Sequence, residues 1–104
     1  GGIIAVLIIV VIFVATRNPW VREDNTSYVN GRVNLRSDSP DGTIKYIGDF
    51  ATQDLAEEAV RKAGYKYYTW HTAATGVWAG GVYASNIPPS DRVKTTVHMS
   101  GYRK

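Results

Sequence analysis

Two histidines are the side chains of this sequence with the widest chemical use, and both fall in segments that read as strands. His71 and His98 can therefore be neighbours across a sheet. A pair of imidazoles is short of a metal site, which usually takes three or more ligands, and no His-x-His, cysteine pair or His–Glu cluster accompanies it. The sequence therefore predicts no metal and no cofactor at these positions.

The acidic residues also lack the spacing that catalysis or calcium binding requires. Glu57 and Glu58 are adjacent on a predicted helix, so their side chains diverge and are expected to be solvated. Asp38, Asp41 and Asp49 do not follow the calcium-loop pattern. No serine lies in a nucleophile elbow and no phosphate-loop lysine is present. We therefore expect a protein that is not an enzyme and has no small-molecule substrate.

Aromatic side chains are the remaining candidates for function. The chain has seven Tyr and three Trp, many of them between residues 65 and 83. Exposed Trp and Tyr are enriched at interface hot spots, so we expect a surface for protein partners. Core packing and a platform for sugar stacking are the alternatives. The candidate contact residues are Tyr68, Trp70, Trp78 and Tyr83.

An uninterrupted apolar run opens the chain over residues 3–15, and Arg17 is the first charge. No positive charge precedes the run, which argues against a cleaved signal peptide, and every face is apolar, which argues against a buried core helix. A buried strand of this length would be unusual, so a transmembrane helix is favoured. Pro19 and Trp20 suit a helix end at the level of the lipid headgroups. The predicted span includes Ile3, Ile4, Leu7, Ile8, Val11, Ile12 and Phe13.

Charges and cysteine usage set the expected location. Arg17 and Arg22 follow the span, and the chain has no cysteine, so we expect a single-pass membrane protein with its domain on the cytosol-derived side. The lipid bilayer is then one partner. Asn25 begins a glycosylation sequon, which would matter only in a lumen. The net charge of +3 is dispersed, without a basic helix, so no nucleic acid is expected.

The predicted organisation has three parts: a transmembrane helix over 1–17, a polar linker over 18–25 and one small domain over 26–104. Within the domain, Asn30-Gly31 predicts a hairpin turn. The fold class is therefore α+β, with an N-terminal transmembrane helix followed by a small, mostly antiparallel sheet and one packed helix.

That packed helix is predicted over Gln53–Ala63. Thr52 is a suitable N-cap, and Gly64 is placed to end the helix in the left-handed conformation. The predicted buried stripe consists of Leu55, Ala56, Ala59, Val60 and Ala63. We expect this stripe to lie on the sheet.

Residues 49–85 carry a family resemblance. A short helix leads into the aromatic segment 65–70 and then into Gly81-Val82-Tyr83. This order resembles the middle of a PAN/apple-like module, with Val82 in place of the cysteine of its Gly-x-Cys-Tyr pattern. The resemblance implies a binding or adhesion module and carries no catalytic residue.

The N-terminal anchor followed by a cysteine-free, Tyr-rich domain resembles a second group of proteins. These are the small membrane-associated minor capsid proteins of large icosahedral DNA viruses with an internal lipid membrane. The resemblance implies a place in the virion between membrane and capsid, with capsid proteins as partners.

The function predicted from the sequence is that of a non-enzymatic structural protein. It would be membrane-anchored and would tether a protein shell, such as a viral capsid, to a bilayer through protein–protein contacts. The alternative is a membrane-anchored, apple-like recognition domain that binds carbohydrate or a protein ligand.

Overall fold

A five-stranded antiparallel sheet with one helix packed on it forms the part of the chain described by the computed structural model, residues 19–104. The elements are β1 (Trp20–Ser27), β2 (Lys45–Asp49), α1 (Gln53–Ala63), β3 (Tyr67–His71), β4 (Gly81–Ser85) and β5 (Val93–Arg103). The strand order is β1-β5-β3-β4-β2, and every neighbouring pair is antiparallel.

The structure corrects the fold class predicted from the sequence. Within residues 19–104 there is no helix long and apolar enough to cross a membrane, and α1 has only 11 residues. The fold described is a small antiparallel sheet with one short helix. The predicted span itself, with Ile3, Ile4, Leu7, Ile8, Val11, Ile12 and Phe13, lies outside the described residues.

The predicted linker and hairpin are also corrected. Residues 18–25 were expected to be a polar linker, but Trp20–Ser27 forms the edge strand β1, which pairs along β5. Asn30-Gly31 does lie in a turn, closed by the Arg32 amide donating to the Val29 carbonyl at 2.9 Å. That turn does not connect two paired strands, because β1 pairs with β5, which is far away in the sequence.

The predicted helix bounds and caps are confirmed. The Leu55 amide donates to the Thr52 hydroxyl at 3.2 Å, and Gly64 has a left-handed φ of 86°. The predicted stripe is only partly right: Ala56 and Val60 are fully buried, whereas Leu55 is 55% exposed and Ala63 is exposed.

Glu57 replaces Leu55 in the buried face, with only 3% of its surface exposed. A charged residue takes this place because the sheet supplies partners for its carboxylate. The prediction that Glu57 is solvated is therefore wrong, whereas Glu58 is exposed as expected.

A small apolar core lies between α1 and the sheet. Its buried members are Trp20, Ala56, Val60, Tyr68, Val82 and Ala84. The Tyr68 ring crosses Gly101 on the neighbouring strand β5, and a Cβ at Gly101 would lie 2.7 Å from the ring carbon Cε1. Glycine is needed there so that the tyrosine can lie flat across the strand and reach the helix.

Beside this core, the Glu57 carboxylate is held by two strands at once. The Arg22 guanidinium on β1 donates to it twice, from Nε at 3.0 Å and from Nη2 at 2.7 Å, and the Tyr68 hydroxyl donates to it from β3. Gln53 in turn donates to the Tyr68 hydroxyl at 2.9 Å. The hydrogen bonds to Glu57 raise the pKa of Arg22, and burial raises the pKa of Tyr68. We call Arg22, Gln53, Glu57 and Tyr68 the Glu57 cluster.

We expect Arg22→Ala to lower the free energy of unfolding by about 3 kcal/mol, because it leaves the buried Glu57 carboxylate without its counterion. Urea denaturation measures the change. Arg61→Ala is the matched control: its ion pair with Glu58 is exposed on both sides, so its loss should change the stability much less than Arg22→Ala does. Equal midpoints for the two variants would contradict this role for the Glu57 cluster.

A candidate ligand-binding cleft

The four aromatic residues predicted as one contact surface are divided between the two faces of the sheet. Tyr68 and Trp70 pack on the helix face, whereas Trp78 and Tyr83 pack on the other. Tyr68 is 1% exposed and Tyr83 is 3% exposed, so both are core residues. Trp70 and Trp78 are half-buried. Of the four, Trp78 and Tyr83 line one cleft together, and Trp78 is the more exposed of the two.

The face opposite α1 is covered by the long loop of residues 28–44, which we call the covering loop. The Tyr28 amide donates to the Thr69 hydroxyl at 2.9 Å, and the Arg36 amide donates to the Tyr83 hydroxyl at 3.0 Å. A second small core lies beneath it, formed by Tyr28, Val29, Ile44 and Tyr83. Loops of this length without helix or strand are uncommon and are often functional.

Asp38 and Asp41 hold the covering loop and the neighbouring strand β2 in place through hydrogen bonds. Asp41 accepts from the Ser39 hydroxyl at 2.6 Å and from the Thr43 amide at 3.0 Å, and these bonds lower its pKa to about 2. Asp38 accepts from the Tyr46 amide at 2.8 Å. Their carboxylates are thus occupied by turn and strand amides.

Asp49 completes the attachment of the loop. Its carboxylate pairs with Arg36 at 2.9 Å and accepts from the Tyr46 hydroxyl at 2.7 Å. The covering loop is therefore tied to β2 by an ion pair as well as to the sheet by its amides.

A cleft of about 300 Å³ opens between the covering loop and the sheet. Its lining residues are Ser27, Val29, Asn30, Gly31, Val33, Thr69, His71, Trp78, Gly81, Tyr83 and His98. None of these described lining residues is Lys, Arg, Asp or Glu. The cleft is therefore a mixed apolar and uncharged polar surface.

His71 and His98 lie side by side in this cleft, as the sequence suggested they could. They are directly opposite in the β3–β5 register, with ring centroids 4.7 Å apart and ring planes at 79°. The His98 Nδ1 atom is 2.6 Å from the Thr95 hydroxyl oxygen.

An irregularity in β5 positions His98. In the β1–β5 register, Asp24 pairs with Met99 but Thr26 pairs with Lys94, so residues 95–98 bulge opposite Asn25. Asn25 itself has a positive φ of 52°. Bulges re-aim side chains and are frequent beside functional sites.

Both imidazoles are neutral near pH 7. Burial, reinforced by the neighbouring His71, lowers the pKa of His98 to about 4, and burial also lowers the pKa of His71. The buried Nδ1 of His71 has no hydrogen-bond partner. A neutral imidazole has one donor nitrogen and one acceptor nitrogen.

The hydroxyl groups in the cleft are occupied by structural bonds. The Thr69 hydroxyl is 2.7 Å from that of Ser100 and also accepts from the Tyr28 amide, and the Ser27 hydroxyl accepts from the Val29 amide at 3.2 Å. The Ser27 and Thr69 hydroxyls therefore hold the walls of the cleft together. Within residues 19–104, no group of three or more His, Cys, Asp or Glu is placed to hold a metal.

Sequence reasoning missed the contribution of the covering loop to the cleft. Asn30-Gly31 was predicted to be a hairpin turn because Asn-Gly is a strong hairpin signal, so the loop around it went unrecognised. The available signal was the length of chain between residues 28 and 44 with neither helical nor strand periodicity.

Comparison with known proteins adds no relative: no family model, curated protein or solved structure matches this chain. The resemblances to PAN/apple-like modules and to viral minor capsid proteins therefore stay predictions.

We expect acid to destabilise the fold through His98. The unfolded chain binds a proton at the ordinary pKa of 6.5, whereas the folded protein keeps His98 neutral down to about 4. The unfolded state thus binds more protons in this interval, so the stability that is complete above pH 6.5 is lost as pH falls toward 4.

Urea unfolding at a series of pH values measures the effect, with His98→Gln as the comparison. Carboxylates contribute equally to both proteins, so the wild type should lose more stability than the variant over this range. Parallel pH profiles for the two proteins would contradict the assignment.

Proposed function

We propose that this domain is a non-enzymatic recognition module that binds its partner in the cleft beneath the covering loop. The observation that carries the proposal is the lining itself: a tryptophan, a tyrosine and two neutral imidazoles meet in a concave site of about 300 Å³. Ligand sites combine apolar surface with a few convergent polar groups in this way, and this volume is at their lower end.

The walls of the cleft support binding because hydrogen bonds within the protein already hold them in place. Its floor comes from β3 and β4, which pair with each other over four residue positions. Its loop wall is fastened at both the Tyr28 and Arg36 amides. A preformed site avoids the entropic cost of ordering a loop on binding.

Trp78 is the residue expected to contribute most to affinity. Its ring centroid is 6.2 Å from that of Tyr83, which supports it from within the core. Half-buried tryptophans with one accessible side are frequent hot spots.

Exposed apolar side chains near the cleft suit a protein partner around it. Val77, the sequence neighbour of Trp78, is 61% exposed. Val97, in the β5 bulge beside His98, is 37% exposed, and its carbonyl accepts from the Thr72 amide at 2.8 Å. The more specific role of a tether between a viral capsid and a bilayer stays a prediction.

The proposal is tested by adding peptide and oligosaccharide panels to the ¹⁵N-labelled full chain and recording amide chemical shifts. We expect shifts to cluster at the cleft, at Asn30, Gly31, Thr69 and Gly81. Trp78→Ala should weaken binding about tenfold or more, in the range of aromatic anchors.

Leu55→Ala is the matched control, because Leu55 is exposed on α1, which covers the opposite face. A thermal melt of each variant shows that the fold is retained. Shifts confined to α1, or binding that Trp78→Ala leaves unchanged, would overturn the proposal.

A further inference from the structure

We infer that the ligand of the cleft is a neutral saccharide, with a sugar ring stacked on Trp78 and its hydroxyls bonded to His71 and His98. This inference rests on the proposed recognition function and names the class of ligand. A sugar ring combines an apolar face of C–H groups with a rim of hydroxyls, and the cleft combines the complementary surfaces.

The absence of charge from the described lining selects a neutral ligand. Within residues 19–104, none of the Lys, Arg, Asp or Glu side chains lines the cleft. A sulfate, phosphate or carboxylate entering it would lose water and gain no counterion, which is unfavourable. The neutral state of both imidazoles extends this argument to pH 7.

The polar groups that remain available match hydroxyls. The His98 Nδ1 atom is engaged with Thr95, so its Nε2 atom is the one left for a ligand. The exposed Asn30 side chain adds an amide donor and an amide acceptor. A hydroxyl both donates and accepts, so it can satisfy an imidazole in either tautomer.

An extended peptide fits the fold less well. Peptides commonly bind by adding a strand to a free sheet edge. Both edge strands have features that oppose such pairing. β1 carries the charged residues Arg22, Glu23 and Asp24. β2 has only five residues and a register shift after Tyr46. Charged, short and irregular edge strands resist pairing with another chain.

The test is binding of the full chain to an array of neutral, sialylated and sulfated glycans, followed by titration with the best oligosaccharide. We expect binding to neutral glycans, weakened about tenfold or more by Trp78→Ala and also reduced by Asn30→Ala. Asn30 is exposed, so its variant tests the site without disturbing the core. Leu55→Ala should bind as the wild type does.

Two sources of the glycan are separated by comparing the free oligosaccharide with the same glycan on a glycoprotein. Equal affinity assigns the binding energy to the sugar alone. Tighter binding to the glycoprotein that is lost on deglycosylation supports the same inference, with added contacts from the protein. Binding that survives deglycosylation overturns it.

Other outcomes distinguish this inference from the proposed function. Binding restricted to sialylated or sulfated glycans overturns the inference. Peptide binding at the cleft amides with no saccharide binding overturns the inference and leaves the recognition function standing. No binding of either class at the cleft overturns both.

Discussion

The buried carboxylate of Glu57 is the constraint on which the rest of the structure depends. A carboxylate with 3% exposure must be compensated, and the Glu57 cluster draws its partners from β1 and β3. These bonds fix α1 across the sheet and hold the edge strand β1 in register. Because α1 occupies one face, the covering loop is left to close the other.

The two covers of the sheet differ in how completely they pack, and this difference creates the cleft. α1 has small residues facing the sheet, Ala56 among them, so it approaches closely. The covering loop has no repeating face, and it contacts the sheet through separate anchors at Tyr28 and Arg36. Between these anchors the loop does not fill the space above the sheet, and the cleft lies there, beside His71 and His98.

The sequence predicts α1 because helix caps act between neighbouring residues. It does not predict β1 or much of the site, because these depend on pairing between distant parts of the chain. The caps at Thr52 and Gly64 act within a few residues, so the sequence displays them directly. β1 looks like a linker because its partner is β5, with Trp20 opposite Arg103. The neighbouring position of the two histidines was foreseeable from strand patterns. The burial of Tyr68 and Tyr83 was not, because periodicity does not reveal that both faces of a sheet are covered.

The pairing of β1 with β5 also determines where the ends of the described fold lie relative to the cleft. Trp20 lies opposite Arg103, so the two ends of the described fold emerge side by side. Ser27, at the other end of β1, lines the cleft, and seven residue steps of strand separate it from Trp20 by roughly 23 Å. A linker that joined the two ends of the described fold would therefore lie at the opposite end of β1 from the cleft.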